Sequence, residues 1–306
     1  MADGSTARPR HSLPPRPDQA GPRDSPPPRP DQARLKQVRG FVLDMDGTLV
    51  LSDRRSHGMR PLPGALELTA WLSRQGLPYR IFTNGTGRSP GDYATLLRGV
   101  GFDLPDGAVL TPADSAADLF ARRGYRRVLA LGTGLADSLR SAGIEPVPPG
   151  ADASNVDAVL VGLYRDFTMD ALEAACHVVW RGVPVYSASQ ASFFATADGR
   201  ALGTSRAISA MLSSATGCRV ELVGKPSRHA LGLAGRRLGV PLRQLAVVGD
   251  DPELEVPMAH RGGALAISVA TGLAGADAFD GVPEHRRPHL SLSGVDELLA
   301  MLAGQA

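Results

Sequence analysis

The sequence predicts an α/β protein in which a doubly wound parallel sheet forms the core and a second α/β unit is inserted into it. Short β-prone apolar runs alternate with segments of helical periodicity along most of the chain, which is typical of βαβ units. Several of these runs lead directly into polar clusters. A long segment with its own α/β pattern separates the cluster at Asn84 from the one at Lys225, and this segment predicts the inserted unit.

The strands are predicted from short, β-prone apolar runs that are bounded by Gly, Pro or polar residues. In chain order they are expected at Gly40–Leu43, Tyr79–Phe82, Val109–Leu110, Arg127–Leu131, Val156–Leu163, Pro184–Tyr186, Ser192–Thr196, Arg219–Val223, Leu245–Val248 and Ala264–Val269.

The helices are predicted from apolar residues spaced three or four positions apart. In chain order they are expected at Pro63–Arg74, Pro90–Arg98, Ala113–Arg123, Gly134–Ala142, Thr168–Arg181, Ser205–Thr216, Arg228–Leu238, Leu254–His260 and Val295–Ala303. Ser89 and Thr168 are of the residue types that cap helix N-termini, and Gly76 is a stop signal after the first helix.

Proline content divides the chain further. Residues 1–37 contain nine prolines and no periodic apolar pattern, so they predict a disordered Pro/Arg-rich tail. The core domain is expected over residues 38–117 and 217–306. The segment 118–216 is expected to form an α/β cap domain.

Charge and cysteine content narrow the class of protein. The net charge is +2, and because the tail carries +3 the body is near neutral, which gives no electrostatic footprint for nucleic acid or membrane binding. Cys176 and Cys218 lack metal-type spacing and are expected to be buried thiols in a reducing compartment. No run approaches the ~18 apolar residues of a membrane span, and no apolar segment follows the N-terminal arginines. These features predict a cytoplasmic protein.

Asp44 and Asp46 follow the first predicted strand, within FVLDMDGTLV at residues 41–50. The carboxyl ends of strands in an open parallel sheet are where ligands bind. On a continuing strand the two side chains face the same way. Two carboxylates at such a short distance repel each other unless a cation or a shared proton offsets their charge. The pair therefore predicts part of a magnesium site with a carboxylate available for chemistry. A strand followed by an acidic turn remains the alternative when the pair is taken alone.

Three further polar clusters follow strands: Thr83 with Asn84, Lys225, and Asp250 with Asp251. In a doubly wound sheet such strand ends open on one crevice. A carboxylate, a hydroxyl, an ammonium and a further carboxylate at one place suit phosphoryl transfer, in which catalysis depends on positioning and on positive charge.

The roles follow from the chemistry of each group. Asp44 is expected to attack phosphorus and form an aspartyl-phosphate, while Asp46 protonates the leaving oxygen and then deprotonates the hydrolytic water. Mg²⁺ that bridges Asp44 and Asp250 would reduce the negative charge at the phosphoryl group. Thr83 is expected to hold phosphate oxygens, and Lys225 to supply a fixed positive charge.

The four clusters resemble, in order, the four motifs of the haloacid dehalogenase superfamily: FVLDMDGTLV, FTNGT, the lysine of VGKPS, and VVGDDPELE. The long insert resembles the cap of its NagD-like, 4-nitrophenylphosphatase and pyridoxal-phosphatase group, and GLYRDFT and GRALGTSRAISAML are similar to cap segments there. The resemblance implies a Rossmann-like core, a phosphoric monoester hydrolase and Mg²⁺ as cofactor. It also implies the following roles: Asp44 as nucleophile, Asp46 as acid/base, Thr83, Asn84 and Lys225 as phosphate ligands, and Asp44, Asp46 (by its carbonyl) and Asp250 as magnesium ligands.

The sequence departs from that group at three places. Glu255 stands where the group usually has Asp, and we expect it to orient a metal-bound water. Tyr164 replaces an acidic cap residue, and Ser187–Gln190 replaces a Thr-Asn-Pro-Asp-type loop. Since the last two changes fall where substrate is expected to be recognised, the substrates of the group are not transferred.

Two other functions remain open at this stage. A phosphotransferase or phosphomutase would pass the aspartyl-phosphate to another hydroxyl, and a receiver-like phospho-switch also combines Asp, Thr and Lys on a parallel sheet. The partner expected is a small phosphorylated metabolite, without nucleic acid or membrane. Exposed cap strands make a homodimer through the cap a further expectation.

Overall fold

The computed structural model of the protein describes residues 30–52, 58–196, 199–272 and 278–304. The strands are β1 Gly40–Leu43, β2 Val50–Ser52, β3 Met59–Pro61, β4 Tyr79–Phe82, β5 Val109–Leu110, β6 Arg127–Leu131, β7 Glu145–Val147, β8 Ala158–Val161, β9 Val185–Ser187, β10 Phe193–Thr196, β11 Gly199–Leu202, β12 Val220–Leu222, β13 Leu245–Gly249, β14 Leu265–Val269 and β15 Leu290–Leu292.

The helices, in the same order, are α1 Pro30–Leu35, α2 Ala65–Arg74, α3 Pro90–Gly99, α4 Pro112–Arg123, α5 Ala136–Ser141, α6 Met169–Trp180, α7 Thr204–Thr216, α8 Arg228–Leu238, α9 Glu255–Gly262 and α10 Val295–Leu302. Within the described ranges, no helix combines the length and the apolar character that crossing a membrane requires. The side chains of Ser89 and Thr168 accept hydrogen bonds from Asp92 N and Ala171 N, so both predicted caps are confirmed.

The first sheet has six parallel strands in the order β15-β14-β13-β1-β4-β5. β1 lies between β4 and β13, with Leu43 opposite Ile81 on one side and Val248 on the other. The chain therefore leaves β1 toward one edge and returns later to build the other edge. This reversal of strand order is where doubly wound sheets bind ligands.

Alternate residues of β1 face opposite layers of helices. Phe41 and Leu43 are fully buried with α2, α3 and α10, whereas Val42 is buried with α8 and α9. Because side chains alternate across a strand, a strand that is buried on both faces reads as a continuous apolar run. The predicted fold class, a doubly wound sheet with helices on both faces, is confirmed.

The second sheet has the order β12-β9-β8-β6-β7 and is also parallel. Helices α4 and α5 cover one face, and α6 and α7 cover the other. We call this sheet with its four helices the cap. Cys176 is buried in it and Cys218 is partly buried, and neither is in a disulfide.

The strand before Lys225 belongs to the cap and not to the first sheet. β12 pairs with β9 through Val220 opposite Val185. The expected border at residue 217 therefore differs from the observed pairing, and the border expected between residues 117 and 118 falls inside α4. An apolar run predicts a strand but carries no information about which of two parallel sheets will accept it.

Regular structure also begins earlier in the chain than the sequence predicted. Residues 1–29 of the predicted disordered tail lie outside the described residues, but Pro30–Leu35 forms a short helix. Leu35 and Val38 are buried with the core cluster that includes Phe41. Two apolar side chains placed beside a large core are enough to order this stretch, which no periodic pattern indicated.

Candidate active site

One cavity of about 590 Å³ lies where the carboxyl edge of the first sheet meets the cap. Its walls include all six residues that the sequence singled out: Asp44, Asp46, Thr83, Asn84, Lys225 and Asp250. Since β1 lies between β4 and β13, Asp44 stands between the loop that begins at Thr83 and the loop that carries Asp250. A cavity of this volume is of the size that proteins use to bind small molecules.

Asp44 is held at the end of β1 by contacts to both carboxylate oxygens. Its backbone N donates to Val248 O at 2.8 Å, which continues the ladder with β13. Lys225 Nζ donates to Oδ1, and Thr48 Oγ1 donates to Oδ2 at 3.2 Å. With a side chain that is only 9% exposed, this carboxylate has a fixed orientation toward the cavity.

Lys225 is almost fully buried and pairs with two carboxylates. Besides Asp44, its Nζ lies 2.6 Å from Glu255 Oε1. Burial lowers the pKa of this ammonium, but the two carboxylates more than offset that effect and leave the pKa raised. Lys225 therefore carries a permanent positive charge at the cavity wall.

Glu255 is paired with Lys225, a contact that the sequence did not indicate. It was expected to orient a metal-bound water, whereas its described contacts are with Lys225 and with Asp251 N, which donates to Oε2 at 3.2 Å. A Cβ at Gly249 would collide with this side chain, so the glycine makes room for it. Burial raises the pKa of Glu255, with Lys225 opposing and the carboxylates of Asp44 and Asp250 adding to the shift.

Asn84 fixes the loop that carries Lys225. Lys225 N donates to Asn84 Oδ1 at 2.8 Å, and Asn84 Nδ2 donates to Lys225 O at 3.0 Å. This pair of hydrogen bonds joins the loop after β4 to the loop after β12. The side-chain oxygen of Asn84 is thereby occupied, so the phosphate role predicted for Asn84 is left to its backbone N–H and to its second amide hydrogen.

Thr83 presents its hydroxyl to the cavity in a fixed orientation. Its Oγ1 accepts a hydrogen bond from Gly85 N at 3.0 Å, which leaves the hydroxyl hydrogen free for a ligand oxygen. The backbone N of Thr83 donates to Leu110 O at 3.2 Å and so anchors the residue to β5.

Asp46 is oriented by a residue that sequence reasoning missed. Ser52 Oγ donates to Asp46 Oδ1, and Ser52 is buried at the end of β2. Burial raises the pKa of Asp46 to about 6; the hydrogen bond from Ser52 opposes this shift and the charge of Asp44 adds to it. A carboxyl group with such a pKa can both donate and accept a proton near neutral pH.

Asp250 lies deep in the cavity beside two glycines. A Cβ at Gly47 or at Gly272 would collide with its carboxylate, and Gly47 has a φ of 85° that favours glycine in any case. Asp250 is 3% exposed and follows β13 directly. The close approach of the Gly47 backbone brings the strand-end loop of Asp44 and Asp46 against Asp250.

The donor set at this place suits a hard divalent cation. Six carboxyl groups line the cavity together with one ammonium and two guanidinium groups: Asp44, Asp46, Asp166, Asp250, Asp251 and Glu255, with Lys225, Arg88 and Arg165. Magnesium prefers oxygen ligands and keeps several waters. In the described part of the chain, no three His, Cys, Asp or Glu side chains are arranged as a metal site, but the predicted set needs only two carboxylates and the Asp46 carbonyl.

The cap is docked on the loop that follows Thr83. Leu163 N donates to Thr86 Oγ1 at 2.7 Å, Gly134 N donates to Thr86 O at 3.2 Å, and Thr133 Oγ1 donates to Gly87 O at 3.3 Å. A Cβ at Gly134 would collide with the Thr86 carbonyl oxygen. The cap thus closes the cavity through direct contact with the expected phosphate-binding loop.

The sequence differs from the related group at two places in the cap, Tyr164 and Ser187–Gln190, and only the second of these lies at the cavity. Ser189, within Ser187–Gln190, lines it, and its hydroxyl accepts from Ala191 N at 3.1 Å. Tyr164 instead packs on Phe167, with ring centroids 5.7 Å apart, among the apolar residues of the cap. The neighbours Leu163 and Arg165 line the cavity in its place.

Comparison with known proteins gives concordant results. A family model described as haloacid dehalogenase-like hydrolase matches residues 41–145, and a second, described as HAD-hydrolase-like, matches residues 222–298. The phospholysine phosphohistidine inorganic pyrophosphate phosphatase of Bos taurus is 30% identical over 242 residues, which cover 78% of this chain and 85% of that protein.

An acid sugar phosphatase of Staphylococcus aureus is 26% identical over 241 residues, covering 78% of this chain and 89% of that protein. Among solved structures, a 4-nitrophenylphosphatase from Thermotoga maritima superposes with a TM-score of 0.77 at 28% identity, covering 87% of this chain and 97% of the other. The resemblance noted from the four motifs is therefore confirmed across both the core and the cap.

Proposed function

The chain belongs to the haloacid dehalogenase-like hydrolases, and from this premise we propose that it is a magnesium-dependent phosphatase that hydrolyses small phosphorylated metabolites through an aspartyl-phosphate. The observation that carries the proposal is the convergence of Asp44, Asp46, Thr83, Lys225 and Asp250 on one cavity. Together these five residues provide a nucleophile, an acid/base, a hydroxyl donor, a fixed cation and a second metal-binding carboxylate. This set matches the requirements of phosphoryl transfer.

In the first step, an oxygen of Asp44 forms a bond to phosphorus while the ester bond to the leaving oxygen breaks. Asp46, protonated at the start, gives its proton to that oxygen, so the product alcohol leaves neutral. Lys225 and Thr83 hold the phosphoryl oxygens and offset the charge that spreads over them. In the second step, Asp46 takes a proton from water, the water oxygen attacks phosphorus, and the bond to Asp44 breaks.

Asp44, Asp250 and the carbonyl of Asp46 are the residues that would hold Mg²⁺. When bound, the ion would offset negative charge that the ammonium of Lys225 alone does not balance beside Asp44 and Asp250.

Removal and return of Mg²⁺ tests the proposal. We expect purified protein that has been dialysed against EDTA to release no phosphate from a panel of sugar phosphates, nucleotides, glycerol phosphate and pyridoxal phosphate. Added Mg²⁺ should restore release for at least one member. Phosphate release that is indifferent to both treatments would contradict the magnesium part of the proposal.

The fate of the phosphoryl group separates hydrolysis from transfer. With a competing alcohol in the assay, a phosphatase yields mainly inorganic phosphate, while a phosphotransferase yields a new ester. We expect inorganic phosphate to account for nearly all of the product, because water is the acceptor that Asp46 activates.

Loss of the Ser52 hydroxyl tests the orientation of Asp46. We expect Ser52→Ala to lower kcat by about tenfold with little change in KM, since the residue orients an acid/base and touches no substrate. Ser52→Thr, which keeps a hydroxyl, is the matched control and should retain most of the activity. Equal loss in both variants would instead indicate a packing defect in the strand pair β2–β3.

A further inference from the structure

Two arginines line the cavity without a role in the reaction described above. Arg88 belongs to the loop after Thr83, and Arg165 belongs to the cap loop after β8. Within the described ranges neither guanidinium forms an ion pair, whereas other arginines do, such as Arg123 with Glu221 and Arg236 with Asp118. Both therefore line the cavity without a direct ion-pair partner among the described residues.

Arg88 also has an unsatisfied donor. Its Nε is buried and, among the described residues, has no hydrogen-bond partner. A buried donor without a partner costs free energy, so such groups are rare unless a ligand supplies the acceptor. Nε itself is closed to solvent, so an anion bound beside Arg88 would offset this cost through the charge of the guanidinium and not through a hydrogen bond to Nε.

The two arginines arise from loops that touch each other. Leu163 N donates to Thr86 Oγ1 at 2.7 Å, and each arginine lies two residues beyond this contact, Arg88 in the core and Arg165 in the cap. This hydrogen bond therefore holds the two segments that carry Arg88 and Arg165 side by side, and both residues line the cavity. Asp166 follows Arg165 but is exposed and forms no ion pair with either arginine among the described residues.

Resting on the proposed phosphatase activity, we propose that Arg88 and Arg165 bind a second anionic group of the substrate, so that the substrates are small phosphate esters that also carry a carboxylate or a second phosphate. The guanidinium fork matches both kinds of anion in a bidentate manner. At about 590 Å³, the cavity has room for such a group beyond the phosphate held by Thr83 and Lys225. A substrate that carries no negative charge besides its phosphate would provide no anionic partner for either arginine.

Matched substrates provide the first part of the test. Glycerol 3-phosphate and 3-phosphoglycerate differ by a carboxylate in place of a hydroxymethyl group. Fructose 6-phosphate and fructose 1,6-bisphosphate differ by a second phosphate. We expect kcat/KM to be at least about tenfold higher for the anionic member of one pair or of both. Preference in the first pair assigns a carboxylate, and preference in the second assigns a phosphate.

Substitution of the two arginines is the second part of the test. Arg165→Gln and Arg88→Gln should each remove most of that preference by lowering kcat/KM for the anionic member and leaving the neutral member nearly unchanged. Arg140→Gln is the matched control, because Arg140 is an exposed cap arginine outside the cavity, and it should keep the preference. If Arg88→Gln fails to fold, Arg165→Gln carries the test, since Arg165 is exposed.

Binding to Asp44→Asn protein separates this inference from the proposed function. Titration calorimetry with 3-phosphoglycerate and glycerol 3-phosphate, and with the fructose pair, reports the preference without turnover. A preference that both arginine variants abolish supports the second anion site even if the protein hydrolyses nothing. Equal binding and equal kcat/KM within both pairs, or a preference that survives both substitutions, would overturn it while leaving the phosphatase proposal intact.

Discussion

Asp44→Asn is expected to lower kcat for phosphate release by about 10³-fold or more, because the amide cannot form the aspartyl-phosphate. The substitution is nearly isosteric, and its Oδ1 can still accept from Lys225, so the cavity should keep its shape. The measurement is phosphate release under saturating substrate and Mg²⁺, together with the midpoint of urea unfolding to show that the variant is folded.

Asp137→Asn is the control for this substitution, since Asp137 lies on an exposed face of α5 and pairs only with Arg140 among the described residues. It should leave kcat unchanged. Phosphate release by pure Asp44→Asn protein at a rate close to that of the wild type would mean that Asp44 is not the nucleophile. The remaining carboxylates of the cavity would then need to be tested in the same way.

Lys225→Met is expected to affect both activity and stability. Methionine fills a similar volume but leaves Glu255 and Asp44 without their buried counter-charge. Removing one partner of a buried ion pair typically lowers the free energy of unfolding by about 3–5 kcal/mol. Phosphate release should fall as well, because the fixed charge at the phosphoryl group is lost.

The stability loss in Lys225→Met should depend on pH in a defined direction. Burial already raises the pKa of Glu255, and loss of the ammonium raises it further. Below that pKa the carboxyl group is protonated and neutral, so the loss is small; above it the group is charged and unpaired, so the loss grows as pH rises. Urea unfolding in EDTA across a pH series measures this.

Adding a second substitution shows whether the unpaired charge of Glu255 causes the loss of stability in Lys225→Met. In Lys225→Met/Glu255→Gln the unpaired charge at position 255 is absent, so we expect part of the stability to return while activity stays low. If the double variant is no more stable than Lys225→Met alone, the loss comes from packing at residue 225. The ion pair with Glu255 would then contribute little to stability.

The sequence predicted five of the six strands of the first sheet, and β1, β13 and β14 among them are buried at every position. Gly40–Leu43 and Tyr79–Phe82 were predicted with the bounds that the structure has, because each is a short β-prone run that is bounded by polar or turn-forming residues; Arg80 is the one charged residue in the two runs and is only partly buried. Their carboxyl ends then placed Asp44 and Thr83 at one edge. The convergence of the other candidate residues followed from the topology of the first sheet, whereas Lys225 follows a strand of the cap sheet and reaches the cavity from there.

What the sequence did not predict depends on contacts between separate elements or loops, some of them distant along the chain. The pairing of β12 with β9, the hydrogen bonds between Asn84 and Lys225, and the contact of Ser52 with Asp46 have no local signal. Strands of three or four residues were also missed, such as β2, β3, β7 and β15, because so short a run shows no periodicity. The pairing of Glu255 with Lys225 was not predicted either, because the position of Glu255 in the motif does not reveal it, and its role toward a metal-bound water stays a prediction.

The continuity of β12 with Lys225 has a consequence for exchanging modules between proteins of this family. The last residue of that cap strand, Leu222, is separated from Lys225 by Val223 and Gly224 alone, and a Cβ at Gly224 would collide with Ala188 O and Asn84 Oδ1. A chimaera that receives a foreign cap therefore has to be joined within these two residues and has to keep Gly224. A junction placed earlier would divide the cap sheet, and one placed later would import the donor's lysine.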